Sequence, residues 1–196
     1  MNLLTARQED ALRELANMGS AKAASMLARL VGDVGVLVDV PVVLSANRYQ
    51  LGWLLGGRDV KIHTATFGIE GQLPGQLWWV LRDDDAKRLG QRLLARPGVS
   101  GPLSSSAMAA LSEAANIVAS ACVSAIGTLT HCNLLPTTPA VRDTTVSQLV
   151  GPPDTGAPMT VLAANFTSTN APTFCGWLVV MLDEETTAST LVRLGL

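Results

Sequence analysis

The sequence has little of what nucleic-acid binding or secretion requires. Only 15% of its 196 residues are charged, the net charge is −2, and no basic cluster occurs that could neutralise a phosphate backbone. Its three cysteines, Cys122, Cys132 and Cys175, form no C-x-x-C pair, which predicts free thiols in a reducing compartment. The N-terminus lacks the basic-then-apolar profile of a signal peptide. We therefore expect a cytoplasmic protein that binds no nucleic acid.

Familiar catalytic and metal-binding motifs are also missing. The sequence has no C-x5-R phosphate loop, no G-x-S-x-G and no Walker motif. His63 and His131 have no partners at metal-ligand spacing, so we interpret both as structural. We expect no cofactor and no metal bound by this chain.

Aromatic residues make up only 4% of the chain, whereas hydrophobic residues make up 48%, so the core must consist mainly of Leu, Val and Ala. The most membrane-like stretch, Ala114 to Leu129, is shorter than the ~20 residues of a membrane span and is interrupted by polar side chains. We interpret it as a buried helix, without membrane insertion. The four tryptophans are predicted to be core or interface anchors: Trp53, Trp78, Trp79 and Trp177.

The chain contains an internal repeat. Residues 11–17 read ALRELAN and residues 110–116 read ALSEAAN, so that five of seven positions agree 99 residues apart. A proline at a predicted strand follows each copy, Pro41 in the first and Pro139 in the second. Each half closes with an apolar strand, an acidic helix start at Asp83 or Asp183, and a helix. This pattern predicts a single domain of two pseudo-repeats, about 1–97 and 98–196, joined by the Pro/Gly/Ser-rich stretch at 95–106.

The predicted elements have the same order in both halves. The first half gives a helix over 5–31, strands near 35–45, 58–67 and 76–82, and a helix over 84–95. The second gives a helix over 105–130, strands near 133–142, 158–167 and 175–182, and a helix over 184–195. Thr5 and Gln8 fit a capping box. The result is an α+β fold built from a duplicated helix-strand-strand-strand-helix unit, pseudo-twofold, with long helices packed on a mostly antiparallel sheet.

The first helix also carries a polar face. Asp10, Glu14 and Asn17 occupy positions i, i+4 and i+7, and Glu113 and Asn116 take the matching places on the second long helix. Asn17 could simply end a helix before a left-handed Gly19. That explanation fails at Asn116, which is followed by helical spacing as far as Gly127. Because the Glu–Asn pair occurs on both helices, we interpret it as functional rather than as an ordinary pair of solvated side chains. The apolar stripe of the first helix comprises Leu12, Leu15, Met26, Leu27 and Leu30.

These residues resemble the motif of the CheC family of chemotaxis phosphatases, which also includes CheX and the CheC-like part of FliY. The family motif is Asp or Ser, three residues, Glu, two residues, Asn, and about 22 residues later Pro. Here the first copy has Asp10, Glu14, Asn17 and, one residue late, Pro41. The second copy has Glu113, Asn116 and Pro139, but Ala109 stands where Asp or Ser is expected. Two copies without a further flagellar-switch domain point to CheC itself.

The resemblance implies hydrolysis of the phospho-aspartate of a CheY-like receiver domain. Asn17 and Asn116 would hold the attacking water, because a carboxamide donates and accepts hydrogen bonds at once. Glu14 and Glu113 would pair with the receiver's lysine, and the Mg²⁺ would belong to the receiver. Asp10 would support the first site, and the two prolines would be structural: Pro41 and Pro139.

A second interpretation is a catalytically weak adaptor or binding module of the chemotaxis system. Its partner would be a deamidase of the CheD type or the flagellar switch. Both Glu–Asn pairs being present favours the enzyme, since an adaptor requires neither amide in a fixed place.

Overall fold

Two long helices, α1 (Ala6–Leu30) and α4 (Ser105–Thr130), begin the two halves of the chain. The structure is a computed structural model that describes residues 4–32, 35–95, 101–153, 156–171 and 173–196. The capping box predicted for α1 is confirmed: Gln8 N donates to Thr5 Oγ1 at 3.3 Å, and Thr5 N donates to Gln8 Oε1 at 3.0 Å. Ser104 caps α4 in the same way, through Ala107 N. Each helix start is therefore fixed by a hydroxyl that satisfies a backbone donor.

The first half continues with β1 (Val36–Val38), β2 (Val42–Ala46), a 3₁₀ turn (Arg48–Gln50), α2 (Leu51–Leu54), β3 (Lys61–Gly71), β4 (Gly75–Arg82) and α3 (Asp83–Leu93). The second half continues after α4 with β5 (Leu134–Pro136), β6 (Ala140–Thr145), α5 (Val146–Val150), β7 (Met159–Ser168), β8 (Cys175–Leu182) and α6 (Glu184–Arg193).

All eight strands join one sheet in the order β1-β7-β8-β4-β3-β5, with β2 also on β7 and β6 also on β3. Every strand pair among the described residues is antiparallel. The two halves are interleaved, because the edge strands of each half pair with a strand of the other half. The predicted α+β fold, with long helices on an antiparallel sheet, is confirmed.

Each face of the sheet has its own core. On one face the sheet packs against α1, α4, α3 and α6, and Leu12, Ala119 and Leu89 are fully buried there. On the other face the short helices α2 and α5 cover Trp78, Val161 and their neighbours. Burial of each large aliphatic side chain contributes about 1.5–3 kcal/mol, so the long-helix face supplies most of the stabilisation that holds α1 and α4 in place.

Helices α1 and α4 cross closely and run antiparallel. A Cβ added to Gly19 would lie 3.1 Å from Cys122 Sγ, which shows how near the helices come. Further along α1, Ala23 and Leu27 share a small internal cavity with Val118, which precedes Cys122 in α4. Later residues of α1 therefore lie beside earlier residues of α4, so the two helices run in opposite directions.

Several predictions need correction. Leu12, Leu15 and Leu27 are buried, but Met26 is only partly buried and Leu30, at the helix end, is 36% exposed. Asp183 caps α6 as predicted by accepting from Thr186 N at 2.7 Å, whereas Asp83 is the first residue of α3 and makes no cap bond. The 95–106 linker falls partly outside the described residues, at 96–100.

The predictions for the four tryptophans and for the apolar helix are only partly confirmed. Trp78 and Trp79 are buried and Trp177 is partly buried, but Trp53 is 82% exposed on α2 and is not a core anchor. The apolar stretch read as 16 residues belongs to a helix of 26 residues, long and apolar enough by composition to cross a membrane. Because its apolar side packs against α1 and the sheet, we interpret α4 as a core helix.

Candidate functional site

The polar face of α1 is open to solvent. Asp10, Glu14 and Asn17 are all exposed. The helix continues for more than three turns beyond Asn17, to Leu30, so the asparagine does not end it. An asparagine within a helix weakens it slightly, because its amide competes for backbone hydrogen bonds. Its position in mid-helix thus calls for another reason than helix termination.

The second long helix presents the matching face. Glu113 is exposed and Asn116 is partly exposed, and both lie well inside α4. Ala109, where the first helix has Asp10, is exposed and offers no polar group. The second pair is therefore accessible through its carboxylate and, to a smaller extent, through its amide.

Among the described residues, the four central side chains have no partner within the protein. Within the described part of the chain, the side chains of both Glu–Asn pairs make no hydrogen bond and no ion pair. The other acidic residues of α1 differ, because Arg13 binds Asp10 at 2.6 Å and Glu9 at 2.5 Å. Asp10 is thus neutralised within the helix. Glu14, Asn17, Glu113 and Asn116 keep their full hydrogen-bonding capacity for a partner.

The two pairs open on opposite flanks of the helix pair. Successive helical residues are rotated by about 100°, so Asn17 and Gly19 point in nearly opposite directions. Gly19 faces α4, and therefore Asn17 faces away from it. The same reasoning applies to Asn116, since Val118 faces α1. One partner can approach each flank without meeting the other.

Small side chains follow each amide along the helix. One and two turns after Asn17 come Ala21 and Ser25, and the corresponding places after Asn116 are Ser120 and Ser124. All four are exposed. A partner's loop can therefore approach each amide without a bulky obstruction from the helix. The i+4 and i+8 spacing of these small residues is a signal in the sequence that is recognisable only once the exposed face of each helix is known.

The two prolines lie where edge strands are interrupted. Pro41 is buried between β1 and β2, and Pro139 is partly buried between β5 and β6. Proline has no N–H to donate, so both positions suit a break in strand pairing. This placement agrees with the structural role expected for them.

His63 lies at the centre of a group of bonded polar side chains. Its Nε2 lies 2.9 Å from Asp83 Oδ1, and its Nδ1 contacts the Asp143 carboxylate. Lys87 Nζ donates to Asp83 Oδ2 at 2.6 Å. The hydrogen bond from Lys87 and, next, that from His63 lower the pKa of Asp83. The cluster joins β3, β6 and the start of α3, which is the structural role predicted for His63.

The remaining titratable groups of note are cysteines. All three are free, as predicted. Burial raises the pKa of Cys122 to about 12, and burial together with the neighbouring Asp85 raises the pKa of Cys175. A thiol with a raised pKa is a poor nucleophile. Neither of these two thiols is suited to covalent catalysis.

Comparison with known proteins points to one family. The model of the CheC-like family matches residues 8–45 and 107–142. Each matched segment contains one Glu–Asn pair and the proline that follows it. The chain is also similar to the CheY-P phosphatase CheC of Bacillus subtilis (strain 168), with 29% identity over 146 residues, covering 71% of this chain and 68% of that protein.

Solved structures share the fold. Thermotoga maritima FliY superposes with a TM-score of 0.78 at 16% identity, covering 99% of this chain and 98% of that one. FliM in the FliM-SpeE complex from H. pylori superposes with a TM-score of 0.68 at 11% identity, covering 98% and 97%. Identities this low establish a common fold and leave the chemistry to be argued from the residues.

Proposed function

Since the chain belongs to the CheC-like family, we propose that this chemotaxis protein hydrolyses the phospho-aspartate of a CheY-like receiver domain. The proposal rests on the accessibility of four side chains that have no partner within the described part of the protein. Glu14, Asn17, Glu113 and Asn116 lie on accessible helix faces and, within the described residues, have no partner of their own. An asparagine in mid-helix costs a little helix stability, whereas a partner's active site can use an accessible amide and the carboxylate beside it.

The chemistry requires only that a water be positioned. In the receiver, Mg²⁺ and a lysine already neutralise the phosphoryl oxygens. The Asn17 or Asn116 amide accepts a hydrogen bond from the water and donates another to a neighbouring oxygen, which aligns the water with phosphorus. The water oxygen bonds to phosphorus, the P–O bond to the aspartyl oxygen breaks to leave a carboxylate, and both protons of the water leave with the phosphate. Positioning of this kind can contribute several kcal/mol of barrier lowering.

The carboxylate three residues before each amide serves docking. Residues at i and i+3 lie on adjoining positions of one helix face, so Glu14 approaches the receiver together with Asn17. A carboxylate facing the receiver's lysine forms a charge-assisted hydrogen bond, which is stronger and more directional than a neutral one. Glu113 has the same relation to Asn116. The glutamates thus contribute to binding of the receiver, and the asparagines contribute to catalysis.

The test is phosphate release from phosphorylated receiver in the presence of Mg²⁺. We expect Asn17→Ala combined with Asn116→Ala to abolish the acceleration over the receiver's own rate, and each single variant to retain part of it. Because a transition-state contact is lost, kcat should fall while the receiver still binds. The control is Asn133→Ala, which removes another exposed asparagine outside both helices. A double variant as active as the parent would refute the proposal.

A binding module is the second candidate, because the same fold occurs in FliM crystallised in a complex with SpeE. Such an adaptor would bind a CheD-type deamidase or the flagellar switch. It would bind its partner equally well with alanine at both asparagines and would not accelerate phosphate release. Either function places the protein in the cytoplasm with its receiver or switch.

A further inference from the structure

A groove continues from Asn17 along the surface of the first half. It lies between the C-terminal part of α1 and the edge strand β1 and has a volume of about 630 Å³. Asn17 is the first α1 residue that lines it, followed by Ala21, Ala24 and Ser25, with Val36 and Val38 on the strand side. We propose that this α1–β1 groove docks the phosphorylated receiver and makes the first Glu–Asn pair the principal catalytic site. The inference rests on the proposed phosphatase function.

The groove exists because the helix side facing it is built from small residues. Ala21, Ala24, Ser25 and Ala28 leave space between the helix and β1 that larger side chains would fill, and Arg29 lines only the far end of the groove, at the end of the helix. On the strand side, β1 has no further strand beyond it in the sheet order. From Asn17 to Ala28 the groove extends for about 16 Å of helix. It is an open, elongated surface rather than a closed pocket for a small molecule.

A receiver requires a contact area larger than one Glu–Asn turn. Stable protein interfaces cover about 800 Å² on each partner, and even transient ones cover several hundred. The groove supplies apolar surface that adjoins the catalytic amide, so one docked receiver covers both. Its apolar lining beside an unpaired polar pair resembles the usual arrangement of an interface, with an apolar region next to specific polar groups.

In the second half, the space described beside α4 does not reach the asparagine. A space of about 620 Å³ lies beside the end of α4, but its first lining residue is Ser124, two turns beyond Asn116. Val123, a larger side chain that is fully buried, stands where the first half has Ala24. Gly127 lets the chain turn back closely, since a Cβ there would lie 2.7 Å from the Cys132 carbonyl oxygen. No lining residue of this second space belongs to the second Glu–Asn pair.

The solvent exposure of the two amides also favours the first site. Asn17 is exposed, whereas Asn116 is only partly exposed. Asn116 is thus the less accessible amide, and it does not line the space described beside the end of α4. The receiver therefore reaches the second pair less often at a given concentration, and the first pair carries the larger share of turnover.

Two serines at equivalent positions provide a matched test. Ser25 lines the α1–β1 groove and Ser124 lines the separate space in the second half; both are exposed and both lie two turns beyond their asparagine. Arginine keeps good helix propensity at either site. We expect Ser25→Arg to lower kcat/KM for receiver dephosphorylation about tenfold, mainly through KM, and Ser124→Arg to change it less than about twofold. Thermal unfolding followed by circular dichroism checks that both variants fold.

The single asparagine variants complete the test. We expect Asn17→Ala to remove more activity than Asn116→Ala. Equal effects of Ser25→Arg and Ser124→Arg, or a larger loss from Asn116→Ala, would overturn the inference. Neither result would touch the phosphatase function, which depends on the double asparagine variant.

Discussion

At the residue scale, Glu14 and Glu113 differ from the other acids of the long helices, because neither is paired with a cation in the part of the chain that the structure describes. Replacing both by glutamine keeps the size and helix propensity of the side chains and removes only the charge. A hydrogen bond to a charged group is worth about 1.5–3 kcal/mol, so we expect receiver affinity to fall at least about tenfold. Binding of a phosphoryl-mimic receiver, measured by calorimetry, gives the dissociation constant.

Glu9 offers the control for this experiment. It lies on the same helix but is already bound to Arg13, so Glu9→Gln should leave receiver affinity close to that of the parent. Affinity of the Glu14/Glu113 double glutamine variant equal to the parent's would contradict the docking role.

The candidate site was predictable at this scale because its signal is local. Glu, Asn and their spacing are read directly from the chain, and repetition separates them from chance. Arg13 lies close enough in sequence to pair with Asp10, but which acid it selects depends on side-chain geometry. The α1–β1 groove was beyond prediction, since its width depends on how a distant strand packs against the helix.

At the element scale, the start of α3 is tied to the sheet through Asp83. Its pKa is lowered by Lys87 and His63, so the folded state binds a proton there less readily than the unfolded chain does. This stabilisation is fully present above the ordinary value of 3.8 and is lost as the pH falls through the lower folded value. Because the side chain is 36% exposed, its contribution is that of a surface pair, about 1 kcal/mol or less.

Asp83→Asn should therefore lower Tm by about 2–4 °C at pH 7, and the difference from the parent should shrink below pH 4. Asp84→Asn is the matched control, because it removes an exposed carboxylate from the same first turn and leaves the His63 cluster intact. A Tm difference that is the same at pH 7 and pH 3 would argue against an ionic tether.

Element prediction succeeded where periodicity is long and failed where elements are short. The helix over 105–130 and the strand over 175–182 have the predicted bounds. Three helical segments, Arg48–Gln50, Leu51–Leu54 and Val146–Val150, were missed because three to five residues show no helical period. The strand predicted near 35–45 is two strands, since the chain breaks at Pro41.

At the scale of the whole molecule, strand order was not accessible from the sequence. Pairing between residues as distant as Val36 and Ser168 depends on the final packing rather than on any local pattern. The interleaving that results has an energetic consequence. β1 and β2 pair with β7, while β5 and β6 pair with β3, so each half lacks the partner for its own edge strands.

We therefore expect the two pseudo-repeats to unfold as one unit. Urea unfolding of the full chain can be followed by circular dichroism and by the fluorescence of single-tryptophan variants that retain Trp79 or Trp177. These two residues report on strands of different halves. We expect all the transitions to coincide. Fragments 1–97 and 98–196, made separately, should show no cooperative transition, since each would expose the apolar helix face that the other half covers. Mixing the fragments should restore structure if the interleaved pairing is what stabilises them. A fragment that unfolds cooperatively alone, or separated transitions in the full chain, would show that each half has a sufficient core of its own.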